Sequence, residues 1–149
     1  MKNIKNVSFY IVLSIIVTMI TNYLESPFLF KYLQNSIISL QITLLAINTA
    51  TLGLIASKIQ DITIQFPKFD FSESIKEMKI SLLEQIILIV VSICTLIIQG
   101  STKIIFEQKT DISNSILLTV FVYSINIIWD TGKAVFIVIE ELNNMNRQE

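Results

Sequence analysis

The sequence predicts an all-α membrane protein with four transmembrane helices and almost no chain left over for a soluble domain. Three observations carry this. Four apolar stretches, residues 7–24, 36–57, 80–99 and 116–139, each approach the roughly 20 residues that cross a bilayer core about 30 Å thick at about 1.5 Å per residue. Charged residues make up 15% of the 149 residues, against about 25% in a typical soluble domain, and the mean hydropathy is +0.66. Finally, polar residues inside three of the stretches recur at helical spacing. A spanning segment must satisfy its own backbone in lipid, which selects helices.

The first span, residues 7–24, follows Lys2 and Lys5, as a signal peptide would. Its apolar run is longer than a signal core, and Thr21-Asn22-Tyr23-Leu24-Glu25 is a poor cleavage site, so it is expected to be a retained helix. Its polar residues are Ser14, Thr18 and Thr21, which makes it the candidate for the most lipid-exposed helix. Ser26-Pro27 then breaks the chain.

The second span, residues 36–57, carries two stripes. Ser39, Thr43, Ala46, Ala50, Gly53 and Ser57 are all small and are spaced 4, 3, 4, 3, 4. Small residues in that register let two helix backbones approach closely, so these six are the expected helix-packing face. Beside them lie Gln41, Asn48 and Thr51, which are costly toward lipid and should face another helix or water.

Residues 58–79 are expected to form the largest loop. Ile62, Ile64 and Phe66 alternate before Pro67, which predicts an extended, interfacial Gln60–Phe69 stretch. Asp70 or Ser72 fits a helix N-cap, with Glu73 as the capping-box partner of Asp70. From Phe71 the spacing Ile75, Met78, Leu82 predicts that helix three starts in the cytoplasm and then enters the bilayer over residues 80–99. Lys76 and Lys79 would snorkel to head groups. Inside that span Ser81, Gln85, Leu88, Ser92, Thr95 and Gln99 share a face, with Glu84 beside it. This stripe is either helix–helix glue or pore lining. Cys94, the single cysteine, is expected to be a small buried apolar filler. Gly100-Ser101 ends the helix.

The fourth span, residues 116–139, holds Thr119, Tyr123, Asn126, Asp130 and Lys133, spaced 4, 3, 4, 3. A charge within a bilayer helix costs several kcal/mol. Asp130 and Lys133 are three residues apart and can pair. They either satisfy each other near the cytoplasmic interface, or line a water-filled cavity with Glu84 as partner.

Orientation follows Lys and Arg in short flanking segments. With four spans, Lys2, Lys5, Lys58, Lys68, Lys76, Lys79 and Arg147 fall on one side and Lys31, Lys103 and Lys109 on the other, seven against three. Both termini are therefore expected in the cytoplasm. The net charge of −1 does not point to nucleic-acid binding by the chain as a whole. There is no histidine, no phosphate-binding glycine loop and no nucleophile with a base, so no catalytic residue, metal or cofactor is implied and an enzyme is not expected.

Polar-striped helices without a catalytic constellation fit a homo-oligomeric pore or ion channel. The lining candidates are Gln41, Asn48, Thr51, Glu84, Gln85, Ser92, Thr119, Asn126, Asp130 and Lys133. A non-catalytic membrane anchor of a larger complex, or a holin-like pore, fits the same stripes. A small transporter would call for inverted repeats and broken helices, and neither is evident.

The small-residue second helix (residues 44–58) and the capped entry to helix three (residues 75–81) resemble the channel-type effectors of Hailong antiphage defence systems. The resemblance covers the architecture of the whole chain, without a diagnostic motif. It implies a multi-pass protein of a bacterial inner membrane, a tetrameric ion channel held closed until infection. It also implies a cytoplasmic nucleotidyltransferase partner whose nucleic-acid product controls gating. Lys58, Lys68, Lys76 and Lys79, gathered from several copies, would then be the gating surface.

Overall fold

The chain folds as a bundle of four helices, described in a computed structural model over residues 2–65 and 71–146: α1 (Lys2–Tyr23), α2 (Phe28–Gln65), α3 (Ser72–Gly100) and α4 (Lys109–Asn146). Asp70, Lys68 and Arg147 lie outside the described residues. α2, α3 and α4 are each long and apolar enough to cross a membrane, whereas the apolar part of α1, Val7–Tyr23, is shorter.

α2 is far longer than the expected 36–57 span. Its 38 residues measure about 57 Å, nearly twice a bilayer core. It starts directly after Pro27 because Phe30, Leu33 and Ile37 already form one buried face. It also runs through most of the expected 58–79 loop. The alternation read in Gln60–Phe69 as an extended stretch is helical to Gln65. Leu52, Ile55, Ile59 and Ile62 recur every three or four residues, and all four are buried. Burial of that face outweighs the period-two pattern of Ile62 and Ile64. α3 begins at Ser72, as far ahead of residue 80 as expected, but Ser72 is its first residue and Phe71 (φ −105°, ψ 13°) occupies the cap position.

The turn between α1 and α2 is a Schellman motif. Ser26 N–H donates to Thr21 C=O at 3.0 Å and Glu25 N–H to Asn22 C=O at 3.1 Å. The motif needs a left-handed residue, and Glu25 supplies it at φ 49°.

α4 organises the bundle. It packs against α1, α2 and α3, α2 and α3 also touch each other, and α1 meets α4 alone. One apolar cluster joins Phe30, Leu33 and Ile37 of α2 to Leu117 and Leu118 of α4, with Val17 and Leu96 at its edge. A second joins Leu52, Ile55 and Ile59 to Phe71, Met78 and Leu82 of α3 and to Ala134 and Val135 of α4. Between them the most buried positions are polar: Ser14, Gln41, Asn48, Gln85, Ser92 and Ser124 are all fully enclosed. The surface is apolar instead, with Phe9, Ile16, Met19, Leu54, Ile64, Ile97, Phe136 and many like them exposed. A large continuous apolar exterior is the mark of a protein solvated by lipid. Cys94 belongs to that exterior, not to the core where it was expected.

Two expectations follow. Ile37→Ala, which empties a fully buried site, should lower stability by about 2 kcal/mol or more, whereas Ile42→Ala on the outer face should change it little; thermal midpoints in detergent compare them. Glu25→Gly should stabilise the protein by up to about 1 kcal/mol, read the same way, because glycine adopts the left-handed turn without a Cβ penalty.

Candidate functional site

Five amides inside the bundle, Gln34, Gln41, Asn48, Gln85 and Asn114, form bonds between helices. Gln41 Oε1 of α2 accepts from Ser124 Oγ of α4 at 2.8 Å. One layer along, Asn48 Nδ2 donates to Gln85 Oε1 of α3 at 2.8 Å and to Ser81 Oγ at 3.1 Å. Ser81 lies 3.4 Å from Thr131 Oγ1 of α4, whose proton goes to Ile127 C=O. Ser81 is therefore the donor, and the chain of bonds crosses all three helices. At the opposite end of the bundle, Gln34 of α2 and Gln99 of α3 both donate to Asn114 Oδ1 of α4.

These contacts correct part of the expected lining. Gln41, Asn48, Gln85 and Ser92 are 0% exposed within one protomer. In the α3 stripe Ser81, Gln85 and Gln99 bond other helices, whereas Ser92 and Thr95 donate to Leu88 C=O and Val91 C=O of α3 itself. Thr51 lies away from Gln41 and Asn48 and bonds Ile47 C=O on its own helix.

The six small residues of α2 are likewise not where intramolecular packing would need them. Ser39, Thr43, Ala46, Ala50, Gly53 and Ser57 are all exposed. At about 100° per residue the stripe is centred about 170° round the helix from the buried line Ile37, Gln41, Asn48, Leu52, Ile55 and Ile59. A helix cannot present opposite faces to one neighbour, so this face is left to lipid or to another molecule.

The expected stripe on α4 continues further than its span. Asp111 and Ser115 extend Thr119, Tyr123, Asn126, Asp130 and Lys133 by two steps of four, giving a seam spaced 4, 4, 4, 3, 4, 3. From Asp111 to Lys133 it covers about 33 Å, the thickness of a bilayer core. The signal for the two added residues was the same helical period, and it was lost because the span was taken to begin at residue 116.

The Lys133 end of the seam is the most charged. Asp130 accepts from Lys133 Nζ at 3.3 Å through one oxygen and from Asn126 Nδ2 at 3.2 Å through the other. Both charged side chains are more than half exposed (56% and 54%), so they pair and still face outward. Lys133 Nζ also lies 5.2 Å from the centre of the Trp129 ring, close enough for a cation–π contact. Glu84 of α3, the expected partner of this pair, lies beside Tyr123 of the same seam. Tyr123 Oη donates to it at 3.0 Å, and the Tyr10 ring of α1 stands 6.0 Å from that of Tyr123.

Toward the other end the seam is the floor of a groove of about 700 Å³. Ile11, Ile15 and Met19 of α1 form one wall, Val91 of α3 the other, and Ser115, Ile116 and Thr119 lie below. The groove ends where Asn22 Nδ2 donates to Asp111 Oδ1 at 3.1 Å.

The expected gating lysines sit apart from the seam. Lys58 is exposed and pairs with Asp61 at 3.3 Å. Lys76 and Lys79 are exposed on the first turns of α3, interleaved with Glu73 and Glu77. The three described lysines therefore share their surface with three carboxylates, and phosphate attraction there is weakened accordingly.

Comparison with known protein families, curated proteins and solved structures returns no match.

The amide bridge yields a measurable coupling. A double-mutant cycle of Asn48→Ala and Gln85→Ala should give an interaction of about 0.6 to 1.7 kcal/mol in detergent unfolding, the range of hydrogen bonds between membrane helices. A coupling near zero would mean that the two amides do not bond.

Proposed function

We propose that the protein is the subunit of a homo-oligomeric membrane pore, crossing the bilayer four times with both termini in the cytoplasm, and that the α4 seam lines its path. The seam carries the reading. It places Asp111, Ser115, Thr119, Tyr123, Asn126, Asp130 and Lys133 on one face over the thickness of a bilayer, with both ends charged.

Four helices of about 20 residues across the bilayer cannot easily enclose a wide aqueous path within one copy. Left facing lipid, Asp130 and Lys133 would cost several kcal/mol. Turned toward the axis of a closed ring, the seams of several copies share water and that cost disappears. The exposed small face of α2 lets neighbouring backbones approach closely in such a ring. Register supports a particular polarity. Thr131 is level with Ser81, where the charged start of α3 gives way to apolar sequence, so Asp130 and Lys133 form the cytoplasmic mouth. Opening such a pore would discharge the membrane potential, the role implied by the resemblance to defence effectors.

Ion flux into liposomes holding the purified protein tests the reading. Flux is expected, and Asp130→Asn or Asn126→Leu should change it by about tenfold, equivalent to about 1.4 kcal/mol in the barrier. Liposomes that stay sealed at every voltage, pH and salt concentration would overturn it. Orientation is tested separately in a Cys94→Ser background. A cysteine at Lys103 should react with an impermeant maleimide from outside intact cells, and one at Lys79 only after permeabilisation. The reverse pattern would overturn the assignment of the termini.

A further inference from the structure

We infer that the groove over the outer half of the α4 seam holds one acyl chain of a zwitterionic phospholipid, whose ammonium head group meets Asp111. The inference rests on the groove itself and not on the pore reading.

The groove asks for an apolar occupant. Its walls are Ile11, Ile15 and Met19 on one side and Val91 on the other. Its floor looks polar in sequence, yet each hydroxyl proton there is already spent. Thr18 donates to Ser14 C=O at 2.8 Å and Thr119 to Ser115 C=O at 2.8 Å. With the Thr18 proton so used, Ser115 is the donor in the 3.0 Å contact between their hydroxyls. Water in the groove would find no hydroxyl donor, and a hydrocarbon chain needs none. The length also suits a chain: Ile11 to Asn22 is about 16 Å along α1.

The groove is bordered by exposed apolar side chains of α1, among them Ile11, Ile15 and Met19. α1 touches α4 alone, so the groove is a gap between α1 and α3 that no other described helix of this chain closes. Only its outer end is polar, with Asn22, Gln108 and Asp111. Asp111 takes the Asn22 amide on Oδ1. Its negative charge attracts an ammonium and repels an anionic head group, and this selects ethanolamine or choline lipids over glycerol lipids.

The test is native mass spectrometry of protein taken from vesicles of equal parts phosphatidylethanolamine and phosphatidylglycerol. The wild type should retain one phosphatidylethanolamine per chain. Ile15→Trp, which fills the groove, should lose at least tenfold of that retention, whereas Val12→Trp on the outer face of α1 should keep it. Asp111→Asn should retain lipid but lose the preference between the two. Equal retention by Ile15→Trp and Val12→Trp, or a wild type that prefers phosphatidylglycerol, would overturn the proposal. Ion flux is not part of this readout, so its failure and the failure of the pore reading are told apart.

Discussion

Hydrocarbon supplies no hydrogen-bond partners, and that constraint orders this molecule. An amide that would be content on a soluble surface must here find another helix. Gln41 finds Ser124, Asn48 finds Gln85 and Ser81, and Gln34 and Gln99 converge on Asn114. Each bond is modest, but each works only in one register, so together they fix how α2, α3 and α4 slide against one another. Packing then follows. The apolar clusters at either end of the bundle, around Leu117 and around Ile55, fill the space between helices whose offsets the amides have set.

α4 serves two surroundings at once. One side, with Leu117, Val120, Ser124, Ile127 and Thr131, is buried among its neighbours. The other carries the seam from Asp111 to Lys133, enclosed by α1 and α3 only in its outer half. α4 is polar on its buried side and carries a polar and charged seam on the other, more than holding a bundle together requires. That asymmetry is what favours a conducting role over a simple anchor.

Much of this was legible in the sequence. The four helices, the breaks at Ser26-Pro27 and Gly100-Ser101, the early start of α3 and the shared face of Ser81, Gln85, Ser92 and Thr95 follow from composition and from a period near 3.6. Periodicity tells which residues share a face, but not what covers it. Gln41 and Asn48 thus read equally well as lining or as glue, and the small face of α2 read as packing although it points away from the bundle. The length of α2 was hidden because Ile62 and Ile64 alternate locally, and only the partner surface offered by Phe71, Met78 and Leu82 decides between the two periods. Likewise, nothing in the spacing of Glu84 showed that Tyr123, two turns from Asp130, would donate to it.

The single seam that attaches α1 has a mechanical consequence. α2, α3 and α4 brace one another in a closed triangle, whereas α1 is tied to one edge through Thr18, Asn22 and Tyr10 and to the rest of the chain through the tight turn at Glu25. Local opening in proteins follows the element with the fewest packed neighbours. α1 is therefore a hinged arm on a rigid frame, and swinging it outward breaks the Asn22–Asp111 bond but none of the amide bridges among α2, α3 and α4. The same swing would widen the gap beside Val91, so that the frame keeps its register while the wall of the groove moves.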